Sequence, residues 1–226
     1  MHFHIITIFP DMLTPFVEEG VIGRAKNLKE TINISFYNPR DFTTDTHRTT
    51  DERPFGGGPG MVLKALPVLL AVEEAQKKIK DQRLKKKDKG KNTKVKIVIL
   101  SPRGEMFTSN VARDLAEGYT DIILICGRYE GIDARVKEIL SATEISIGEY
   151  VLSGGELGAG IIVDAVSRFL PGVLGNEESL EEARVSTGEM YTRPETLVWE
   201  KKEYGVPDVL LSGHHAKIEE WRKEKG

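Results

Sequence analysis

The fold class is set by the run Asp121-Ile122-Ile123-Leu124-Ile125-Cys126 and by a similar run, Val95-Lys96-Ile97-Val98-Ile99-Leu100. Both runs are short and rich in β-branched residues, which is typical of strands that are buried on both faces. The same criterion predicts two further strands, over residues 3–9 and 31–37. The chain therefore contains a set of short, buried strands.

Helical segments separate these strands. Predicted helices cover residues 63–78, 110–117 and 132–140, and another follows Gly155. Strands that alternate with helices indicate a mostly parallel sheet with helices on both faces. Ligands of such sheets bind beyond the carboxyl ends of the strands. The sequence therefore predicts an α/β domain with its site at that edge.

Composition narrows the protein class. The 226 residues suffice for one sizeable α/β domain or for one domain with a small appendage. With 39% hydrophobic and 30% charged residues, the chain is expected to be globular and soluble, without a membrane-spanning or signal segment. Its single cysteine, Cys126, excludes an internal disulfide framework and a multi-cysteine zinc site. We therefore expect a cytoplasmic protein with no membrane partner.

Positive charge is concentrated in residues 77–94, which hold ten Lys or Arg against two Asp, while the whole chain has a net charge of −3. Residues 85–91 contain no apolar side chain, which predicts an exposed loop between a helix and the next strand. A solvated insertion and an electrostatic arm for a phosphate backbone would both have this composition. Composition leaves both interpretations open.

Glycine-bearing segments follow three predicted strands: residues 95–100, residues 121–126 and a further short strand at residues 144–147. The segments are Ser101-Pro102-Arg103-Gly104, Gly127-Arg128-Tyr129-Glu130-Gly131 and the segment from Gly148 to Gly155. Glycine allows the main chain to approach a ligand closely. One such loop would be an ordinary turn, but three together predict a pocket lined by main-chain amides and carbonyls.

A fourth glycine-rich segment, residues 53–61, fits neither the dinucleotide pattern G-x-G-x-x-G nor a phosphate-binding P-loop. Its flank, residues 45–53, mixes cations with hydrogen-bonding side chains that suit phosphates and base edges, which predicts a polynucleotide-holding loop. Ser153 and His214 lack the spacing of serine hydrolases and zincins. Cys126 ends a buried strand, which favours packing over nucleophilic catalysis.

These motifs, taken in order, extend almost from end to end of the chain. They comprise Ile6-Thr7-Ile8-Phe9-Pro10-Asp11-Met12, Asn38-Pro39-Arg40-Asp41, residues 47–61, 100–102, 126–133, 146–156 and 164–169, Pro171-Gly172-Val173-Leu174-Gly175, Tyr191-Thr192-Arg193-Pro194-Glu195 and residues 207–215. The set resembles the TrmD family of bacterial tRNA (guanosine-37 N1) methyltransferases, which belong to the knotted SPOUT superfamily and use S-adenosylmethionine.

The resemblance implies a fold and an assembly. Residues 1–170 would form the knotted methyltransferase domain, with three loops in a deep trefoil knot and with the basic insertion 77–94. Residues 171–190 would be a mobile linker, and residues 191–226 a short, helical, tRNA-binding part. Similar enzymes are symmetric homodimers with the active site between subunits. Family members usually continue past Trp221, so we expect a truncated C-terminal part, with a further domain missing or fused.

The resemblance also implies which residues hold the ligands. The cofactor-binding residues would be Leu100, Ser101, Pro102, Gly127, Tyr129, Gly131, Ile147, Gly148, Glu149, Tyr150, Val151, Leu152, Gly154 and Gly155. The tRNA-binding residues would be His47, Asp51, Arg53, Gly58, Pro59 and Gly60. The tRNA substrate would carry guanosine 37, and no residue is assigned as the ligand of a resident metal.

The chemistry requires a base and a cation. Guanine N1 must lose its proton while negative charge accumulates on O6. The resemblance places the cation at Arg168, which can donate hydrogen bonds to O6. It implies that Glu130 helps to hold the target base or a magnesium ion, Mg2+, near that base. The alternative role for Glu130 is a structural salt bridge.

The general base is the main departure from the family. The family's aspartate aligns with Ala183, so Glu182 is the predicted base and Glu181 the fallback. Two alternative functions follow: a catalytically impaired module that binds cofactor and RNA, or a SPOUT methyltransferase for another RNA position. The match over residues 53–61 speaks against the second.

Overall fold

The computed structural model describes residues 1–27, 31–86, 93–174 and 189–225. It contains two compact units, Met1–Gly175 and Asn176–Gly226. The predicted linker 171–190 spans the boundary between the units, and its residues 175–188 lie outside the described residues. The predicted division into three parts therefore stays a prediction.

The first unit alternates strands and helices. Its elements are β1 (His2–Ile6), α1 (Thr14–Glu18), α2 (Gly20–Asn27), β2 (Asn33–Tyr37), β3 (Asp51–Glu52), β4 (Val62–Leu63), α3 (Ala65–Lys86), β5 (Val95–Met106), α4 (Ser109–Gly118), β6 (Asp121–Cys126), α5 (Arg135–Leu140), β7 (Thr143–Ser146) and α6 (Glu156–Arg168). Short 3-10 turns cover Pro10–Met12 and Pro39–Phe42.

The main sheet has five strands in the order β2-β1-β6-β5-β7, and its pairings are all parallel. Strand β6 lies at the centre and is buried along its whole length. Its side chains alternate between two cores. Ile122 and Leu124 pack with residues of α4 and α6, whereas Ile123 and Ile125 pack with residues of α3 and α5. The predicted parallel sheet with helices on both faces is confirmed.

The carboxyl half of β5 differs from its prediction. The expected loop at residues 101–104 lies within the strand, which continues to Met106. Leu100 and Glu105 both pair with Ile145 of β7, so the four residues between them bulge out of the ladder. Pro102 has no N–H to give to that ladder, which explains why the bulge forms here.

The basic segment also differs from its prediction. Helix α3 extends to Lys86, so the loop predicted from residue 85 cannot begin before residue 87. Lys and Arg are good helix formers, so a basic sequence can prolong the helix. Residues 87–92 lie outside the described residues. The role of the insertion 77–94 stays a prediction.

The second unit contains more than the expected helices. Strands β8 (Thr196–Trp199) and β9 (Lys202–Gly205) form an antiparallel hairpin, and helices α7 (Asp208–Leu211) and α8 (His215–Glu224) follow it. The rings of Tyr191 and Trp221 lie 6.2 Å apart. In the described parts of both units, no helix combines the length and the apolar character needed to cross a membrane.

Candidate cofactor and nucleotide site

A cleft of about 660 Å³ opens at the bulge of β5 and at the carboxyl ends of β6 and β7. This volume is typical of small-molecule sites. Glu130 contributes to the wall, and Glu149 is the one predicted cofactor-binding residue that does not. The predicted cofactor-binding residues in the wall are Leu100, Ser101, Pro102, Gly127, Tyr129, Gly131, Ile147, Gly148, Tyr150, Val151, Leu152, Gly154 and Gly155.

Two of the loops around the cleft are pressed together at glycines. The Gly155 amide donates a hydrogen bond of 2.9 Å to the Gly127 carbonyl. A Cβ added at Gly155 would lie 2.8 Å from the Cα of Cys126, and one added at Gly154 would lie 2.2 Å from Nε of Arg128. Close approach of the main chains therefore excludes a side chain at Gly155, whereas a side chain at Gly154 would have to displace Arg128.

The loop after β7 is shaped by its own side chains. The Tyr150 hydroxyl donates a hydrogen bond of 3.1 Å to the Ile147 carbonyl, and the Ser146 hydroxyl donates one of 3.0 Å to the Gly148 carbonyl. A Cβ at Gly148 would lie 2.2 Å from the Tyr150 ring. Tyr150 thus folds back over Gly148, and only glycine leaves room for its ring.

A buried ion pair fastens the loops to the sheet. Glu156, at the start of α6, is fully buried, and its carboxylate lies 3.0 Å from Nη2 of Arg128. The Thr7 hydroxyl donates to the same carboxylate at 2.7 Å, and Nη1 of Arg128 donates to the Ser153 carbonyl at 3.2 Å. Arg128 therefore links the loop after β6 to the loop before α6 and to the end of β1.

Sequence reasoning quoted both motifs that contain this pair but assigned it no role. The available signal was a carboxylate directly after Gly154 and Gly155, at the start of a largely apolar helix. The helix dipole favours an acidic residue in any first helical turn. The position of Glu156 therefore gave no indication that it also pairs with Arg128.

The glycine-rich segment lies against the cleft wall. It connects β3 to β4, which pair antiparallel. The Glu130 amide donates to the Met61 carbonyl at 3.0 Å, and a Cβ at Gly60 would lie 2.6 Å from Oε1 of Glu130. The structure therefore brings Gly60, from the predicted tRNA-binding set, beside Glu130, from the predicted catalytic set.

The other predicted tRNA-binding residues lie outside the cleft wall. Asp51 is half-buried in β3, where it pairs with Leu63. The rest are exposed to solvent: His47, Arg53, Gly58 and Pro59. In the same loop, the Phe55 ring is fully exposed.

Comparison with known proteins identifies the family. The family model described as "tRNA (Guanine-1)-methyltransferase TrmD" matches residues 1–226. The chain belongs to this family. The TrmD resemblance drawn from the motifs is therefore confirmed.

Curated relatives agree over almost the whole chain. A tRNA (guanine-N(1)-)-methyltransferase of Thermomicrobium roseum is 47% identical over 99% of this chain and 78% of its own. One of Pseudoalteromonas atlantica is 44% identical over 99% of this chain and 79% of its own. One of Coxiella burnetii is 44% identical over 96% of this chain and 82% of its own.

The three residues predicted to catalyse the TrmD reaction are not all brought together within one chain. Glu130 lines the cleft, whereas Arg168, half-buried at the far end of α6, does not. Helical rise places Arg168 about 18 Å along the axis from the start of α6. Glu182, with Ala183 and the fallback Glu181, lies outside the described residues. The catalytic roles stay predictions.

Cys126 belongs to the core of this TrmD family member. Burial, together with the nearby negative charge of Glu156, raises the pKa of its thiol well above the usual value. The thiol is therefore protonated at neutral pH. Both features agree with a packing role.

Charged side chains at the cleft rim are held in pairs. Arg135 donates two hydrogen bonds to Asp133, at 2.6 and 2.9 Å, and these lower the pKa of that carboxyl. Lys137 bonds Glu144 and lowers the pKa of its carboxyl in the same way. Because these carboxylates stay ionised, neither is suited to donate a proton at neutral pH.

Proposed function

We propose that this protein transfers a methyl group from S-adenosylmethionine to N1 of guanosine 37 in the anticodon loop of tRNA, in the cytoplasm. The observation that carries the proposal is the glycine-walled cleft at the bulge of β5 and at the carboxyl ends of β6 and β7, in a chain that belongs to the TrmD family. The deep trefoil knot of the SPOUT superfamily is part of the same proposal and rests on family membership.

The cleft fits the cofactor. Its walls combine apolar side chains, Ile147 and Leu152, which suit the faces of an adenine, with main-chain groups of three loops, which suit its edge. The close approach at Gly154 and Gly155 keeps those main-chain groups near the cavity. When bound there, the cofactor supplies an electrophilic methyl group on a sulfonium sulfur.

Side chains of the protein would accept the proton of guanine N1 and stabilise the negative charge on O6. In the transfer, the N1–CH3 bond forms, the S–CH3 bond breaks and the N1 proton passes to a carboxylate. Glu182 is the proposed acceptor because it neighbours Ala183, and Arg168 would donate hydrogen bonds to the negative O6. Glu130, beside Gly60 in the cleft wall, would orient the base.

A magnesium ion enters no step of this mechanism. Within the described ranges, Glu130 is not part of any group of three His, Cys or carboxylate ligands that could surround an ion. Mg2+ usually keeps several waters and takes only one or two carboxylates from a protein, so Glu130 together with tRNA phosphates would be its ligands if turnover depends on the ion.

A homodimer is part of the proposal. One subunit holds its cleft and its Arg168 at opposite ends of α6, so a complete site requires a second copy. Residues of α1 and α6 also expose apolar side chains, namely Phe16, Leu157 and Ile161. A partner subunit covering this face would bury them and bring its Arg168 to the cleft.

Mixing two inactive variants tests the shared site. Gly127→Trp should fill the cleft and abolish cofactor binding with the fold retained, and Arg168→Ala should lose about 10²–10³ in turnover. A shared site predicts that an equal mixture, after subunit exchange, regains about a quarter of wild-type activity, since half the dimers carry one intact site. No regain, or a fully active monomer by light scattering, contradicts the shared site.

Transfer of labelled methyl groups to tRNA tests the reaction itself. We expect methylation of a tRNA with guanosine 37 and none of its adenosine-37 counterpart. Cofactor and tRNA binding without transfer would instead favour the impaired module that Ala183 suggests. Transfer to another nucleotide would favour the third alternative.

Substitution of the linker carboxylates tests the base. Glu182→Gln should lower turnover by about 10²–10⁴ and leave cofactor affinity unchanged, because only the proton acceptor is lost. Glu181→Gln is the matched control and should remain active. Ala183→Asp should raise turnover if Glu182 reaches N1 poorly. A fully active Glu182→Gln with an inactive Glu181→Gln or Glu130→Gln would move the base elsewhere.

A further inference from the structure

The amino-terminal edge of the sheet gathers three side chains that bind metals. His2 and His4 lie on one face of β1, since side chains two apart in a strand point the same way. Asp121 begins β6, directly opposite His2 in the pairing register. The two imidazole rings stack with centroids 3.9 Å apart, and ligand atoms from the three residues lie within 4.8 Å of one another.

The cluster holds a buried negative charge. His4 is fully buried, and Asp121 is only 8% exposed. The ion-pair partner of Asp121 is His4, at 3.1 Å between Oδ1 and Nε2, and an imidazole carries a charge only when it is protonated. A buried carboxylate without a permanent positive partner is costly, and a divalent cation would offset that cost.

The surrounding hydrogen bonds orient the three side chains as they do in metal sites. Nε2 of His2 bonds the Ser35 hydroxyl at 2.9 Å, and Nδ1 of His4 bonds the Tyr37 hydroxyl at 3.1 Å. The Thr120 hydroxyl donates to Oδ2 of Asp121 at 2.8 Å. Nε2 of His4 and Oδ1 of Asp121 are thus left facing each other. Their separation approaches the distance of about 3.3 Å between ligand atoms of a tetrahedral zinc site.

We propose that His2, His4 and Asp121 bind a divalent transition-metal ion. Two imidazoles and a carboxylate suit Zn2+, Co2+ and Ni2+ better than Mg2+ or Ca2+, which prefer oxygen ligands.

The ion would join the first residues of β1 and β6. Strand β6 runs from Asp121 to Cys126, so the cluster lies roughly 17 Å from the cleft, at the other edge of the sheet. The metal would therefore stabilise the fold without entering methyl transfer. This inference is independent of the proposed function, and its test does not use methyl transfer as a readout.

The test uses the full chain with any affinity tag removed and with metals stripped by a chelator. Zn2+ at about one hundred times its Kd should raise the melting temperature by roughly 5–10 °C. Bound Co2+ should show the visible absorption of a tetrahedral site. His2→Gln should weaken Zn2+ binding in calorimetry roughly tenfold or more and keep the metal-free melting temperature close to wild type.

The matched control removes the only adjacent histidine pair, His214 and His215, which lies in the second unit. The double variant His214→Gln, His215→Gln should bind Zn2+ as the wild type does. Asp121→Asn is a second test at the cluster, and it should also weaken binding. Two results would overturn the proposal: no stabilisation by Zn2+ or Co2+, or binding that survives His2→Gln and disappears in the double variant.

Discussion

The carboxyl edge and the amino edge of the five-stranded sheet, where its parallel strands end and begin, differ in how much space their side chains leave. At the carboxyl edge, Gly155 lets main chains pass closely, Gly148 and Gly154 leave room for the side chains of Tyr150 and Arg128, and a cleft remains between the loops. At the amino edge, the side chains of His4 and Asp121 bond each other, and the Tyr37 hydroxyl reaches His4 from the carboxyl end of β2. Parallel topology alone therefore does not create a cleft; the absence of side chains at one edge does.

Filling the carboxyl edge should have the largest effect. In Gly155→Val, the new side chain would collide with backbone atoms of Cys126 and Gly127, which cannot move cheaply. We expect cofactor affinity to fall by roughly hundredfold or more in calorimetry. Gly127→Ala is the control, because its Cβ would meet its nearest neighbours at an ordinary 3.6 Å. Equal affinities for the two variants would refute the contrast between these glycines.

Removing the buried ion pair at the carboxyl edge should have the second-largest effect. Arg128→Ala leaves the buried Glu156 carboxylate without its cation, which costs about 3–5 kcal/mol of unfolding free energy. The melting temperature should drop by roughly 6–20 °C. Arg135→Ala removes an exposed pair with Asp133 at the same edge and should change it little. If the two variants melt alike, burial of the first pair has no energetic importance.

A polar change in the hydrogen bonds of the amino-edge cluster should be milder and should leave the cleft unchanged. Tyr37→Phe removes the hydroxyl that bonds buried His4, which costs about 1–2 kcal/mol. The melting temperature should fall by roughly 2–8 °C, with cofactor affinity unchanged. A weakened affinity would mean that the two edges are coupled through the sheet.

The smallest effect belongs to the one cysteine. Cys126→Ala deletes a buried thiol whose raised pKa keeps it protonated at neutral pH, so the rate of methyl transfer should not change. Stability should decrease by about 1 kcal/mol in denaturant unfolding. An inactive variant with normal stability would restore the nucleophile interpretation.

Local sequence was sufficient to predict a strand where the strand is completely buried. Strand β6 has the bounds predicted for it, because a fully buried strand needs an uninterrupted apolar run. The bulge in β5 was missed because it depends on pairing with Ile145, some forty residues later. The pair β3 and β4 was missed because strands of two residues show no periodicity.

The same distinction applies to the site. The loops that line the cleft were predicted because glycines stand directly after predicted strands, a pattern visible within a few residues. The Arg128–Glu156 pair joins residues 28 positions apart, and the His4–Asp121 pair joins residues 117 apart. Neither pair leaves a local signal, and only the strand register brings the second one together.

The bulge in β5 affects how easily the cleft wall is exposed to solvent. Ladder pairing passes directly from Leu100 to Glu105, so residues 101–104 are skipped in the middle of a long strand. The amides of Ser101, Arg103 and Gly104 should exchange with solvent deuterium much faster than those of Val98 or Ile99, which stay in the ladder. Such a difference would mean that the cleft wall opens by local fluctuation while the sheet stays closed, so that ligand entry and global unfolding have separate barriers.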